Sequence, residues 1–585
     1  MTDRDILARY AGELKMDYRK KYEEWTTDTF FDEGTRKELA AITDEKEIED
    51  RFYRDLCFGT GGLRGVMGAG TNCMNRYTVG KATAGLGKYL TDTYGGEDSR
   101  KRGVVIAYDT RYNSGFFART AADILSGMGI YVYLHETPCP TPQLSFAVRF
   151  LHAVAGIVIT ASHNPKEYNG YKVYDEFGCQ LVPSQAKQVV RYIDQITDYR
   201  IIQFMGNASL ISMVDVTDDF VLSAVKQSRY KESGAKKKLK IVYTSLHGTG
   251  NIPVRKVLGM DGFSQVAIVE EQAVADGGFP TVISPNPEDS RALEAGISKA
   301  ENLDSDIVLG TDPDCDRVGV AVKAADGMYH LLTGNQVGAL LMKFVLDHTD
   351  MSVWKRPAVI KTIVTSDLGA EIARGKNLSV FSTLTGFKYI GEKITQFEQA
   401  KKNGNTEQDY DFVLGYEESY GYLAGTHARD KDAVVSSLLI CEMAAEAKAE
   451  GKTLLDRLDD IYRQYGYYQD ALDSYTLKGK DGAERITAIM NELRGGKTPF
   501  DADMARMIDY SNPVEAEPGF GFLPVENVLK FILKDGSWVA VRPSGTEPKI
   551  KIYYSVRGNE QKDAEKRMKN LRLTMKKIVD FNTNA

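Results

Sequence analysis

The stretch Val154-Ala-Gly-Ile-Val-Ile-Thr-Ala-Ser-His-Asn-Pro165 decides how this chain is read, because an apolar run stops abruptly at a loop rich in hydroxyl and turn residues. A short apolar run bounded by turn signals reads as a strand buried on both faces, the kind found in parallel sheets. In open α/β sheets ligands gather outside the carboxyl ends of the strands, so a strand stopping at Thr160 delivers the Ser162 hydroxyl to that edge. Ser, Asn and Pro are also ordinary turn residues, and the hexapeptide alone is compatible with a plain loop.

Three further apolar runs end the same way. Ile307-Val-Leu-Gly310 leads into Thr311-Asp-Pro-Asp-Cys-Asp-Arg317. An extended segment would turn Asp312, Asp314 and Asp316 to one side, where three carboxylates repel unless a cation holds them. Hard oxygen ligands favour Mg²⁺ or Ca²⁺ over zinc, and a site of only three leaves room for water and a phosphate oxygen, which suits Mg²⁺. An EF-hand would need Gly and Glu where Arg317 and Lys323 stand. On the same alternation, the Cys315 thiol is expected to face away from the metal. Phe412-Val-Leu-Gly415 leads into Tyr416-Glu-Glu-Ser-Tyr-Gly421. Glu417 and Ser419 share a face there and suit neighbouring hydroxyls of a polyol, with Tyr416 and Tyr420 expected to pack on a ring. Trp538-Val-Ala-Val541 leads into Arg542-Pro-Ser-Gly-Thr-Glu-Pro-Lys549, a phosphate cradle of backbone N–H groups, hydroxyls and a guanidinium fork that is not a Walker loop.

These four clusters, in this order, resemble those of the α-D-phosphohexomutase family, specifically its phosphoglucomutase and phosphopentomutase-like branch, and the likeness covers most of the chain. Phe58-Gly-Thr-Gly-Gly-Leu-Arg-Gly65, Tyr168-Asn-Gly-Tyr-Lys172 and Thr385-Gly-Phe-Lys388 support it. The resemblance implies a phosphoserine at Ser162, Mg²⁺ on Ser162, Asp312, Asp314 and Asp316, sugar contacts at Glu417 and Ser419, and a phosphate grip at Arg542, Ser544, Gly545, Thr546 and Lys549. It implies His163 or Lys172 as the proton-transfer group, with Arg64 and Arg317 as electrostatic helpers. Thr60, Asn164, Thr385, Gly386, Lys388 and Lys431 join Arg64, Lys172 and Arg317 as substrate contacts. The fold implied is α/β: three similar α/β domains with mixed or mostly parallel sheets and a smaller α+β C-terminal domain around a central cleft.

Composition agrees with a protein of this kind. At 585 residues the chain exceeds one core and suits about four domains. With 43% hydrophobic and 26% charged residues, and no apolar run near the roughly 18 residues needed to cross a bilayer, no membrane is expected. A net charge of −7 argues against a nucleic-acid partner. Six cysteines without Cys-x-x-Cys spacing imply neither disulfides nor zinc. The start lacks a signal core, so a cytoplasmic location is expected. Leu7, Tyr10, Leu14 and Tyr18 at helical spacing predict an amphipathic helix from Asp5 to about Asp28, and Ala564, Met568, Leu571, Met575 and Ile578 predict another from Gln561 to about Phe581. Between them a strand–loop–helix grammar recurs at Val104–Ala107, Ile241–Tyr243 and Val359-Ile360 with Ile363-Val364. Domain boundaries are placed at 1–205, 206–325, 326–465 and 466–585, with linkers near Met205, Ala324–Gly327 and Tyr465-Gly466.

The expected reaction is the interconversion of glucose 1-phosphate and glucose 6-phosphate, with Ser162 lending its phosphate through a glucose 1,6-bisphosphate intermediate that also serves as activator. Pentose and mannose phosphates remain alternatives within the family, and a Mg²⁺-dependent sugar phosphatase is the alternative of another class. A serine hydrolase is disfavoured because Gly-x-Ser-x-Gly is absent around Ser162.

Overall fold

A computed structural model describes residues 18–59, 61–477, 479–495, 500, 503–544 and 549–584. The described chain forms two compact bodies: one comprises the described residues up to Gln227 with Lys240–Val318 and Thr426–Leu438, the other Ser228–Leu239, Gly319–Gly425 and the described residues from Leu439 onward.

In the first body, Ala155–Ile159 is fully buried and pairs in parallel with Val104–Tyr108 and antiparallel with Tyr168–Asp175. Its β-branched and small residues suit a strand covered on both faces. The six-stranded mixed sheet runs Gly62–Val66, Tyr168–Asp175, Ala155–Ile159, Val104–Tyr108, Val132–His135 and Ile211–Val214. The last of these strands lies beyond residue 205 yet pairs in parallel with Val132–His135. Helices cover the sheet. Arg76–Tyr94 starts at Asn75, whose side chain accepts from the N–H groups of Tyr77 and Thr78, and Thr141–Phe150 starts on a proline. Gly170 is required where it stands, since a Cβ would lie 2.4 Å from the carbonyl oxygen of Thr160. Three parallel strands in the order Gln265–Ile268, Lys240–Thr244, Ile307–Thr311 make a second sheet core. Of the expected N-terminal helix, the part before residue 18 lies outside the described residues. Residues 18–27 are helical and bury Tyr18 and Trp25 against Phe31, Phe52 and Tyr77.

In the second body, Ser379–Thr383, Pro357–Thr362, Asp411–Glu417 and Gly421–Ala424 form a sheet, the first three strands parallel and the last antiparallel. The expected run Ile363-Val364 is not strand. Thr365 N–H donates to Thr362 O, so the chain turns after Thr362 and buries both residues in the turn. Ala324–Gly327 forms the turn of a hairpin between Val318–Lys323 and Tyr329–Leu331. A five-stranded antiparallel sheet carries Gly479–Arg494 and Gln561–Asn584 on one face, burying Ile489, Met490, Met568 and Met575. Among the described residues no helix is long and apolar enough to cross a membrane.

Candidate active site

Ser162 follows the Ala155–Ile159 strand at the first turn, 4% exposed, in the left-handed conformation at φ 52°. Its N–H donates to Thr160 Oγ1 at 2.8 Å, a local bond that folds the loop back on its own strand. Arg111 fixes the loop from below. Its buried guanidinium donates to the carbonyl oxygens of Ser162, Asn164, Pro165 and Tyr168 and pairs with Asp109 at 3.3 Å. Arg111 stands in the loop after the strand Val104–Tyr108, and nothing local says that it would hold a loop some 50 residues away.

The Ser162 hydroxyl donates to Asp312 Oδ2 at 2.8 Å and lies 3.2 Å from His163 Nδ1. Burial and the nearby Arg317 and Arg64 hold the His163 pKa well below its usual value, leaving a neutral imidazole. Arg64 donates to Asn164 Oδ1 at 3.4 Å.

Asp312, Asp314 and Asp316 are buried, and one oxygen from each lies within 4.8 Å of the others, a group that could hold a metal ion. The convergence does not come from strand alternation. After Thr311 the chain makes a tight turn with Cys315 at φ 51°, and Asp312 Oδ1 accepts the N–H groups of Asp316 and Arg317 at 3.1 and 3.0 Å. The turn brings the side chains together where an extended strand would have spaced them by two residues. The Cys315 thiol is buried toward Gly250.

Cations answer these charges. Lys172 Nζ donates to Asp314 Oδ2 at 3.0 Å and lies 3.8 Å from Asp316 Oδ2; Lys431 Nζ lies 3.1 Å from Asp316 Oδ2 and from Asp430 Oδ1. Arg317 pairs with Glu288. Against the effect of burial, Lys172 keeps Asp314 ionised below the usual carboxylate range, whereas burial and the neighbouring carboxylates push Asp312 well up. Asp314 Oδ1 and Asp316 Oδ1 are buried without a hydrogen-bond partner among the described residues. Buried orphan acceptors are costly, and hard oxygens aimed at one point fit a divalent cation. Thr141, which donates its N–H to Asp314 O and its hydroxyl to Asp314 Oδ2, had no distinguishing sequence signal.

In the second body Glu417 ends the Asp411–Glu417 strand, 5% exposed, and its Oε1 accepts Gly386 N–H at 2.8 Å. The loops of Thr385–Lys388 and Glu417–Ser419 are thereby joined. Thr385 Oγ1 is buried without a partner among the described residues, and Lys388 Nζ lies 5.2 Å from the Tyr389 ring centre. Tyr416 does not present its ring to a ligand. The strand runs on through Glu417, so alternation sends Tyr416 into the core, stacked on Tyr422 and against Gly338, where a Cβ would come within 2.2 Å of its ring. Tyr420 is also buried, at φ 63°. Glu418, unremarked in the sequence, accepts from Thr362 and Thr365. Arg542 donates Nε and Nη2 to Glu526 Oε1, and Ser544 N–H donates to Lys549 O at 2.7 Å. Thr60, Gly545 and Thr546 lie outside the described residues.

Mixed α/β sheets whose strands lead into a hydroxyl loop and a carboxylate loop, in a chain that also carries an antiparallel C-terminal domain, are the architecture of the sugar-phosphate mutases, an isomerase class that moves phosphoryl groups within one molecule. Residues 55–200, 218–327 and 333–465 match the phosphoglucomutase/phosphomannomutase alpha/beta/alpha domains I, II and III, and residues 481–571 match the C-terminal domain of the same proteins. The chain belongs to the phosphoglucomutase/phosphomannomutase family. A phosphoglucomutase of Staphylococcus epidermidis is 37% identical over 548 residues, covering 90% of this chain and 95% of that protein. One from Staphylococcus aureus is 38% identical over 528 residues, covering 88% and 92%. Two solved structures share the fold. A phosphoglucomutase/phosphomannomutase family protein of Burkholderia thailandensis has a TM-score of 0.65 at 19% identity, over 89% of this chain and 97% of that chain. The exocytosis-sensitive phosphoprotein parafusin of Paramecium has 0.64 at 16%, over 89% and 94%.

Proposed function

We propose that this chain is a cytoplasmic phosphoglucomutase that interconverts glucose 1-phosphate and glucose 6-phosphate through a phosphorylated Ser162. The observation that carries the reading is the 2.8 Å hydrogen bond between the Ser162 hydroxyl and Asp312, which joins a nucleophile to a buried carboxylate group fit for a metal. Ser162, Asp312, Asp314 and Asp316 would hold Mg²⁺, which supplies charge neutralisation to a phosphoryl group in transfer. His163, neutral and 3.2 Å from the hydroxyl, is assigned the serine proton. Lys172 is engaged by Asp314 and is assigned electrostatic support with Lys431, Arg64 and Arg317.

Sugar hydroxyls are assigned to Glu417 and Ser419, with Asn164, Thr385, Gly386 and Lys388 as further substrate contacts. The resting phosphate goes to Arg542, Ser544 and Lys549, together with Thr60, Gly545 and Thr546. Ser162 gives its phosphoryl group to the free hydroxyl of the sugar phosphate, and the resulting glucose 1,6-bisphosphate returns its other phosphoryl group to Ser162. A bisphosphate that escapes leaves the serine bare, so added glucose 1,6-bisphosphate acts as activator. The same reading divides the chain into four domains near residues 205, 325 and 465, with the Ile211–Val214 strand completing the first sheet.

A phosphorus NMR time course with glucose 1-phosphate, Mg²⁺ and a trace of glucose 1,6-bisphosphate tests it. The 6-phosphate signal should replace the 1-phosphate signal with total ester conserved. Inorganic phosphate as the main product would make the protein a phosphatase, and faster turnover of mannose 1-phosphate or ribose 1-phosphate would reassign the substrate.

A further inference from the structure

Arg542 offers a planar fork of five N–H donors. Its Nε and Nη2 both point at Glu526 Oε1, at 3.0 and 2.8 Å, and Tyr553 hydrogen-bonds the same guanidinium. Glu526 Oε2 is buried and accepts no hydrogen bond among the described residues, so the carboxylate is oriented by the arginine and by its own backbone rather than by solvent. The grip occupies the Nε edge of the fork and fixes the direction of the remaining donors.

Glu526 lies at the end of a built segment that joins the strands Met504–Asp509 and Leu529–Leu533. Glu526 N–H donates to Tyr510 O at 2.9 Å, and between them Leu523 N–H pairs with Val514 O and Ala516 N–H with Gly521 O, closing a small hairpin. The hairpin tip is seated on the sheet of Ser379–Thr383. Phe520 packs on Phe381, Phe397 and Tyr410 with ring centres 5.3, 5.7 and 6.2 Å away, and Lys393 Nζ sits 3.9 Å from its ring centre. Glu517 Oε1 accepts the N–H of Ser382 at 2.6 Å, and Gln408 donates to Gly519 O. Ser379–Thr383 is an edge strand, and an outward N–H on such an edge needs an acceptor. That strand runs directly into Thr385, Gly386 and Lys388. The hairpin thus has one end on the strand that feeds the Thr385–Lys388 loop and the other on Arg542.

We propose that the segment Ser511–Glu526 is a strap that sets these two substrate-binding elements in register, and that Glu526 is a positioning residue that presents the Arg542 guanidinium to the phosphate of the bound sugar. The proposal rests on the reading that Arg542 takes that phosphate. A preorganised guanidinium costs less ordering on binding, so the strap acts on affinity for the ester rather than on the chemical step.

The test compares KM and kcat for glucose 1-phosphate in Glu526→Ala, Glu526→Gln, Phe520→Ala and Arg542→Gln, with thermal melts of each. Glu526→Ala is expected to raise KM by roughly 10-fold, the size of effect typical when the group orienting a ligand-binding residue is removed, with kcat within about twofold. Glu526→Gln, which keeps an acceptor oxygen, should raise it less, and Phe520→Ala should raise it in the same sense by loosening the hairpin. An unchanged or lower KM in Glu526→Ala overturns the positioning role, a lower one because the carboxylate would then be competing with the phosphate. A KM unmoved by Phe520→Ala overturns the strap. An Arg542→Gln variant with wild-type KM fails differently, since it removes the phosphate assignment itself.

Discussion

Replacing Ser162 by alanine and, separately, by glycine divides the chemistry of the hydroxyl from the strain of its backbone. In the dephosphorylated enzyme the Ser162 hydroxyl makes a 2.8 Å hydrogen bond to Asp312, whose carboxyl is pushed toward its neutral form by burial and the neighbouring carboxylates, and a hydrogen bond between neutral groups contributes about 0.5–1.5 kcal/mol. Asp312 keeps two backbone N–H donors on its other oxygen, and the loss is about 1 kcal/mol. At about 2–4 °C per kcal/mol for a domain of this size, Ser162→Ala should melt about 2–4 °C below the dephosphorylated wild type. A φ of 52° strains any residue with a Cβ. The left-handed region costs such a residue about 1–2 kcal/mol, and glycine avoids that while losing about 0.5–1 kcal/mol through its freer unfolded chain. Ser162→Gly should therefore melt no lower than Ser162→Ala. Both variants should lose at least about 10⁴-fold in turnover, as removal of a covalent nucleophile does, and the mass of one phosphoryl group, about 80 Da, should be present in the wild type and absent from both. Activity is read by coupled assay, phosphorylation by intact mass and stability by calorimetry. An alanine variant with wild-type turnover refutes the phosphoserine, and a glycine variant melting well below the alanine one refutes the strain argument.

Asp314→Asn removes one charge from a group of three carboxylates and one partner from Lys172, so the Mg²⁺ concentration for half-maximal activity should rise by roughly 10-fold or more; an unchanged titration curve would exclude Asp314 from the metal group. Lys530 Nζ is buried, donating to Ile363 O at 2.7 Å and lying 4.1 Å from the Trp538 ring centre, and burial pulls its pKa from 10.5 down to about 7. Between those values the unfolded chain holds the proton and the folded one does not, so stability rises with pH from about 7 toward 10.5, by at most about 1.4 kcal/mol per pH unit. Lys530→Met should flatten this rise in melting temperature between pH 7 and 9, and parallel profiles for the two proteins would show that Lys530 stays charged throughout.

Much of this site was legible along the chain because the chemistry sits where strands end. The burial of Val154–Ile159, Ile307–Gly310 and Phe412–Gly415 follows from apolar runs too short for helices, and what comes after a buried strand in such a sheet stands at its functional edge. Ser162, Asp312, Asp314, Asp316 and Glu417 were singled out in that way, and the structure places each at or just after the end of its strand. The pattern misled where it assumed that extended geometry continues or stops on cue: the carboxylates meet through a turn at Cys315, and Tyr416 is buried because its strand continues one residue further.

What holds these groups could be read only from the tertiary structure. Arg111 spends its guanidinium on four carbonyl groups of the serine loop, Lys431 answers Asp316 from more than a hundred residues away, and Glu526 reaches Arg542 from the far end of a hairpin. Apolar periodicity acts over a few residues and determines which segments become strands and where they end. A buried charge has no such periodicity, because its partner is whichever residue the packed chain brings within about 3 Å, and that choice is made when the sheets and helices assemble.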